Sequence, residues 1–468
     1  MKGRVTIAVI VSGCLVVLLG GLFLVGFLRG VAYAQEGVSS KPYTGKPLPC
    51  GPNARLGSAV EPSYTAFVRR FTAEAYQQRG KHDPSWDAPA EKFLEAYALR
   101  TSGADDPPDA KKLDVMAEDL LAKHCDDPLI LERIGTLKLD MKEPAEAEKL
   151  ISESIAGLQA RGYPPLGLAK AYLELAQLNG ETGSKPTCKA FKWGPLAVNA
   201  FADAADGANF GPEQQRYMWA VFSEILRTWF PGHQAQFAQA LKERPKTDPW
   251  LLNMAWGLYR NDYAWSRRGQ GWASGVSEED WRAFDAASRE AYNYFLAAYQ
   301  AHPEYPESCY RLMNIASSAS LRSGGSERDW FDRGVAAQFD YMPLYSEMVY
   351  VLTPRWGGSH EAMLAFGKEC LDTGRFDTHV PAVYEEAVKM IATFDLDTAI
   401  YRQPDVWPCF QRQFNGYLDY AVKNEPEAVK GLRKSWAQLA QQAGHPEEAQ
   451  KQWAIINSGG ERPTTPTR

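Results

Sequence analysis

Several kinds of signal are missing from this sequence, and each absence removes a class of function. There is no Cys-x-x-Cys, no His-Glu-x-x-His and no close pair among the seven histidines, so the spacings of zinc and thioredoxin-like chemistry are not there. No P-loop and no strand-borne glycine fingerprint occurs, and the Gly-x-Ser-x-Gly elbow of serine hydrolases is absent. Lys and Arg never gather into a long block, and the net charge is -6, which argues against nucleic acid as a partner because phosphate binding needs concentrated positive charge. No segment alternates apolar and polar residues with β-branched enrichment, so strands are not expected. No cofactor is implied.

What is present begins at the N-terminus. Two cations in "MKGR" precede an uncharged run from Val5 to Leu28. That run is long enough to span a bilayer, which takes about 20 apolar residues. Positive charge ahead of it places the N-terminus inside and the rest of the chain outside the membrane. Ala32-Tyr33-Ala34 before Gln35 also fits the small-x-small pattern of a cleaved secretory signal. An uncleaved anchor and a cleaved signal are both open readings of residues 1–34, and both export the body. "VSGC", ending at Cys14, resembles a lipobox, but the residues after it stay apolar where a lipoprotein turns polar. Residues 35–61, rich in Gly, Pro and Ser, read as a tether, and residues 458–468 as a tail without structure.

Of the seven cysteines, Cys50, Cys125, Cys188, Cys309, Cys370 and Cys409 fall in the exported part, widely spaced. Six thiols in an oxidising compartment allow 15 connectivities, a choice that spacing does not make. Buried free thiols with at most one or two bridges are the simpler expectation.

Between tether and tail, apolar residues recur at three and four throughout, which predicts an all-α body. The expected helices cover 62–79, 87–101, 109–124, 129–140, 144–160, 165–179, 212–229, 249–263, 278–301, 307–320, 328–339, 344–352, 360–373, 380–394, 427–443 and 446–457. Ser277 with Asp280 forms a capping box for one of them, and Gly374 is placed to end another.

"EPAEAEKLI" (143–151) and "HPEEAQKQW" (445–453) share Pro, Glu, Ala and Lys in one register, an internal repeat. In "AYNYFLAAYQAHP", Ala291, Phe295, Ala298 and Pro303 have the spacing Ala-x3-Phe-x2-Ala-x4-Pro, and Leu312 falls where a following helix wants a leucine. This resembles the second helix of a tetratricopeptide repeat, in which small residues let helices approach and the aromatic fills the space between hairpins. Ile134-Gly135 with Ala147 and Ile151, and Gly444 with Ala449 and Trp453, resemble the same template less completely. From about Asp248 to Phe394, the runs "DPWLLNMAWGLYRNDYAWSRRGQGWASGVSEEDWRAF", "RDWFDRGVAAQFDYMPLYSEM" and "PRWGGSHEAMLAFGKECLDTGRFDTHVP" resemble a bacterial family of tetratricopeptide-like (TPR-like) helical proteins whose shared domain has no assigned function. The resemblance implies an α-solenoid of divergent helical hairpins, over 62–247 and 248–457, and implies no activity.

Two stretches carry residues suited to chemistry or binding. "TPRWGGSHEAM" (353–363) sets Arg355 and Trp356 beside two glycines and a Ser-His pair, but adjacent side chains at a helix start diverge. Ser359 reads as an N-cap and the stretch as a corner. From Trp250 to Trp281, Tyr259, Asp262, Trp265, Arg267, Arg268 and Trp272 mix aromatics with charge; Trp256, Tyr259 and Tyr263 belong to one helix face, while "WSRRGQGWASG" reads as a structural loop or as a binding surface. The expectation is a non-enzymatic scaffold of the bacterial cell envelope, tethered to the inner membrane or secreted, that binds a protein or peptide partner through Tyr259, Asp262, Trp265, Arg267, Arg268, Trp272, Arg355 and Trp356. The alternative is a secreted all-helical polysaccharide-acting enzyme or sugar-binding protein with an aromatic-lined cleft.

Overall fold

The computed structural model describes residues 57–102, 107–182, 191–207, 211–228, 233–269, 271, 273–318, 325–395 and 398–458. Among the described residues the regular elements are all helices, with no strand, and none of those helices is long and apolar enough to cross a membrane. The apolar run expected to anchor or export the chain, the tail after Ser458, and Cys14, Cys50 and Cys188 lie outside the described residues. The described thiols Cys125, Cys309, Cys370 and Cys409 are free, the first three buried. Burial pushes the Cys125 and Cys309 thiols up to about 12, and Cys370 is raised well above its ordinary value for the same reason.

The chain divides into two compact units, one from Ser58 to His302 and one containing Pro303–Arg468. The first holds α1 (Gly57–Arg70), α2 (Ala73–Arg79), α3 (Asp87–Ser102), α4 (Ala110–Ala122), α5 (Pro128–Asp140), α6 (Pro144–Ala160), α7 (Pro165–Leu178), α8 (Trp193–Gly207), α9 (Pro212–Thr228), α10 (Gln234–Lys242), α11 (Pro249–Arg268) and α12 (Glu278–Ala301). Neighbours in sequence are neighbours in space: α3 packs on α4, α5 on α6, α7 on α8 and α11 on α12. The first members of these pairs also touch in series, α3 with α5 and α5 with α7, and α9 meets α11.

The helix ends follow ordinary capping chemistry. Asp109, Asp127 and Asp248 cap α4, α5 and α11 through backbone N–H groups, and proline opens α5, α6, α7 and α11, where its missing N–H is not needed. Ser277 accepts from Asp280 N at 3.1 Å at the start of α12, as its spacing predicts.

Packing between partners relies on close approach. Ala291, Phe295 and Ala298 of α12 are fully buried, and a methyl carbon on Gly257 of α11 would lie 2.4 Å from the Phe295 ring. Gly257 is therefore the seat of that ring. Gly135 of α5 stands in the same relation to Ile151 of α6, at 2.6 Å.

The second unit contains α13 (Pro306–Ser318), α14 (Glu327–Ala337), α15 (Met342–Val351), α16 (His360–Asp372), α17 (Val383–Asp395), α18 (Val406–Asn424), α19 (Val429–Gln442) and α20 (Pro446–Asn457). Here too α13 packs on α14, α16 on α17 and α19 on α20. Leu312 is fully buried. Gly374 takes φ 62° directly after α16 and ends it, as expected.

Several expected boundaries shift. The segment 62–79 is two helices, and the first begins at Gly57, inside the stretch read as tether. The helix read as 249–263 continues to Arg268, so the first four residues of the stretch taken as loop, Trp265–Arg268, belong to its last turn, and Ala273–Gly275 form a 3-10 turn. Three helices were not expected at all. The α8 sequence is buried on several sides, with Ala197, Val198, Ala200, Phe201, Ala202, Ala204 and Ala205 all inside, and so shows no single apolar stripe. Its N-terminus is capped from a distance, by the Glu181 carboxylate accepting from Lys192, Trp193 and Gly194 N. α10 is only 9 residues long, and α18 contains Pro408 in its first turn and Gly416, both of which read as breakers.

The glycine seats yield a test in opposite directions. Helix propensity alone makes alanine better than glycine by about 1 kcal/mol, whereas a side chain forced into a packed core is destabilising by about 1 to 3 kcal/mol. Gly257→Ala is expected to lower stability, and Gly431→Ala, at a site in α19 with nothing within 4 Å, to raise it. Denaturant unfolding of both variants checks this; stabilisation by Gly257→Ala would show that Phe295 does not require the seat.

Candidate functional site

The residues expected to bind a partner fall into both units. In the first unit, Tyr259, Asp262, Trp265, Arg267 and Arg268 lie along the C-terminal half of α11, against the start of α12; Trp272 lies outside the described residues. Helical spacing turns them in different directions. Trp265 meets Phe284 edge-on, with ring centroids 5.5 Å apart. The Arg268 guanidinium lies over Trp265 at 5.3 Å and over Trp281 at 5.5 Å, and donates to the carbonyls of Gly269 and Gly271. Arg267 pairs with Asp280 at 2.7 Å and reaches Glu279 at 3.6 Å. Asp262 accepts from Gln234 Nε2 of α10 at 2.9 Å. Tyr259 is edge-on to Trp256 at 5.9 Å.

Both cations are thus engaged within their own hairpin: one holds the turn between α11 and α12, the other balances the acidic start of α12. The hairpin end offers to solvent the exposed carboxylates of Glu278 and Glu279 together with aromatic surface from Tyr263, which is 40% exposed, and half-buried Trp265.

In the second unit, Arg355 and Trp356 form a short 3-10 turn between α15 and α16. Arg355 is exposed and stacks over Trp356 at 5.9 Å; Trp356 is edge-on to Tyr350, also at 5.9 Å. Ser359 accepts from Ala362 N at 3.2 Å and caps α16, and Met363, Phe366, Gly367, Cys370 and Leu371 line its buried face. The corner reading of this stretch agrees with that geometry.

A third group of residues, none of them anticipated, belongs to the first helices of consecutive pairs. Tyr97 comes from α3, Glu132, Arg133 and Thr136 from α5, and Lys170 and Glu174 from α7. Lys170 Nζ donates to Tyr97 Oη at 2.9 Å, Thr136 Oγ1 at 2.7 Å and Glu174 Oε1 at 2.8 Å, with Glu132 Oε1 at 3.8 Å. Thr136 Oγ1 donates in turn to Glu174 Oε2 at 3.0 Å. Arg133 Nη1 pairs with Glu132 at 2.7 Å, and Nη2 donates to the carbonyl of Phe71, just past the end of α1, at 3.2 Å.

Two anions and two cations balance here. Burial works against the charged form of Lys170, but Glu174, Tyr97 and Glu132 outweigh it and hold its pKa above the ordinary value. Burial likewise opposes the charge of Arg133, and Glu132 foremost holds it. The Glu174 carboxyl is pushed up by burial and by the Glu132 charge, against the pull of Lys170. Two signals of this group were in the sequence: Lys170 and Glu174 are four apart, and Glu-Arg interrupts the otherwise apolar "PLILERIGTL".

Against this face lies α1. Thr65 Oγ1 donates to Ser102 Oγ at 2.8 Å, and Arg69 Nε donates to both Glu95 oxygens, at 3.1 and 2.9 Å. On the other side Arg70 Nη1 donates to Gln214 of α9 at 2.7 Å, and the Tyr217 ring lies 5.0 Å from Tyr64 and 5.6 Å from Phe67. Burial, then Tyr217 and Tyr97, raise the Tyr64 pKa. No family model and no curated protein matches the chain.

Two outcomes are expected. Removing one member of a buried ion pair costs about 3 to 5 kcal/mol, and Lys170 is 31% exposed, so Lys170→Met belongs at about 3 kcal/mol at neutral pH. Because the Glu174 pKa is raised above its ordinary 4.5, its contribution is fully present below that value and lost as pH rises through the folded value. Losing Lys170 raises the folded value further, so the deficit of Lys170→Met should shrink in urea titrations as pH is lowered from about 7.5 to about 5; a deficit independent of pH would remove Glu174 from this account. At the corner, Ser359→Ala should cost about 0.5 to 2 kcal/mol, as the loss of an N-cap does, and leave partner binding unchanged. Binding lost in a variant whose circular dichroism matches the parent's would make Ser359 more than a cap.

Proposed function

We propose that the chain is a non-enzymatic scaffold for a protein or peptide partner, an α-solenoid of divergent TPR-like hairpins carried outside the bacterial inner membrane by the N-terminal apolar run, as an anchored or a secreted protein. The observation that carries this reading is the series formed by α3, α5 and α7, on whose first two members a further helix is seated through Glu95, Ser102 and Arg133. Stacked pairs bury one face on their neighbours and present the first helices as a recognition surface. The Phe295 seat in Gly257 supports the TPR-like part of the reading.

A second contact region in this proposal is the end of the α11–α12 hairpin, at Tyr259, Asp262, Trp265, Arg267, Arg268 and Trp272; a separate one, in the other unit, is at Arg355 and Trp356. Aromatic and arginine side chains dominate binding hot spots, and here Arg268 and Arg355 lie over tryptophan rings while Arg267 pairs with Asp280 and Glu279. The experiment is capture of envelope proteins by the exported chain across a range of salt. Trp265→Ala should weaken capture at every salt concentration. Arg267→Ala should change it little, because Asp280 and Glu279 already balance that charge. No saturable capture, together with release of sugar fragments from envelope polysaccharide, would favour a helical enzyme instead.

A further inference from the structure

The helix on the face of the first unit has the character of a bound peptide. Its sequence, "GSAVEPSYTAFVRR", is poor in helix formers and carries Pro62 beyond its first turn, where proline costs about 3 kcal/mol. A segment of this length and composition does not hold a helix by itself in water. Its conformation depends on what it lies against.

The contacts along its described half are those by which one helix recognises another. Tyr64, Phe67 and Phe71 recur at i, i+3 and i+7; Phe67 and Phe71 are buried, and the three rings form a chain of contacts with Tyr217. Arg69 and Arg70, at i+5 and i+6, diverge to Glu95 of α3 and Gln214 of α9. Arg133, held by Glu132, donates to the Phe71 carbonyl, where the negative end of the helix dipole falls. The receiving groups Glu95, Ser102, Arg133, Gln214 and Tyr217 come from α3, α5 and α9.

We propose that the face built by α3, α5 and α9 is a docking surface for an amphipathic helix of a partner polypeptide, and that α1 is its resident occupant, which the partner displaces. The partner helix carries aromatic residues at i, i+3 and i+7 and two consecutive cations at i+5 and i+6. This rests on the scaffold reading for its purpose, but its test does not need the natural partner.

The probe is a labelled synthetic peptide with the sequence of residues 57–72, added to the full chain. Tyr64→Ala with Phe67→Ala frees the face, and Thr65→Cys with Ser102→Cys, whose hydroxyls are 2.8 Å apart, locks α1 in place when oxidised. A resident occupant reduces apparent affinity by the fraction of chains in which the face is free. The freed variant should therefore bind the peptide about tenfold or more tightly than the parent, and the oxidised locked variant should not bind until reduced. A peptide with alanine at the positions of Tyr64 and Phe67 should bind none of them. Equal binding to parent and freed chains, binding that ignores the lock, or no binding to a freed chain of parental helicity would each overturn the proposal. So would dimers of the parent that exchange α1, because a second copy would then be the occupant. Should the freed variant fail to fold, the locked chain before and after reduction decides alone. Failure to capture any envelope protein while the peptide still binds would reject the scaffold's partner and leave the surface standing.

Discussion

The first unit depends on the pairing of charges along α5. This helix buries Glu132, Arg133 and Lys138, and its cap Asp127 is fully enclosed. A charge removed from water without partners is destabilising by several kcal/mol, so each of these residues can be where it is only if a neighbour supplies the complement. The neighbours do so from every side. Asp127 accepts from Lys81 N and Tyr163 Oη as well as from the first turn of α5. Lys138 lies among Asp114 and Glu118 of α4 and Glu143 and Glu146 at the start of α6. Glu132 and Arg133 face α7 and the end of α1. These pairings fix register more than they add stability, because an apolar helix of the same shape would pack in several positions and a charged one in few.

The helical class of the body was legible because period-3.6 patterning is a local property and nearly every helix carries it. The same is true of the turn at 353–359 and of the buried spacing through Ala291, Phe295 and Ala298. The legible signals end where local information ends. α8 begins at a carboxylate supplied by Glu181, 12 residues before Trp193, and no neighbouring residue announces that cap. Gly416 reads as a breaker, yet a methyl carbon there would meet the Phe376 ring at 2.1 Å; its role is visible only once the ring is in place.

The binding residues expected from composition were located by type, and type did not show how they are used. Arg267 and Arg268 are adjacent in sequence and read as one patch of positive charge. In the fold one faces Asp280 and the other two tryptophans, because successive residues on a helix diverge by about 100°. The polar group of Tyr97, Glu132, Arg133, Thr136, Lys170 and Glu174 has the opposite history. Its members span 78 positions and three helices, and only the pairing of α3 with α5 and of α5 with α7 assembles them.

The contact between α1 and α9 also bears on the order in which the structure comes together. The principal helix pairs join neighbours in sequence, an arrangement of low contact order that forms quickly and locally. The bond from Arg70 to Gln214 spans 144 positions. Its acceptor side does not exist until α3 through α9 have stacked, so α1 is a late arrival on a surface that its predecessors must complete. By the same logic α1 can open without breaking any of the principal helix pairs, and amide exchange in 64–71 would read that local opening separately from unfolding of the stack.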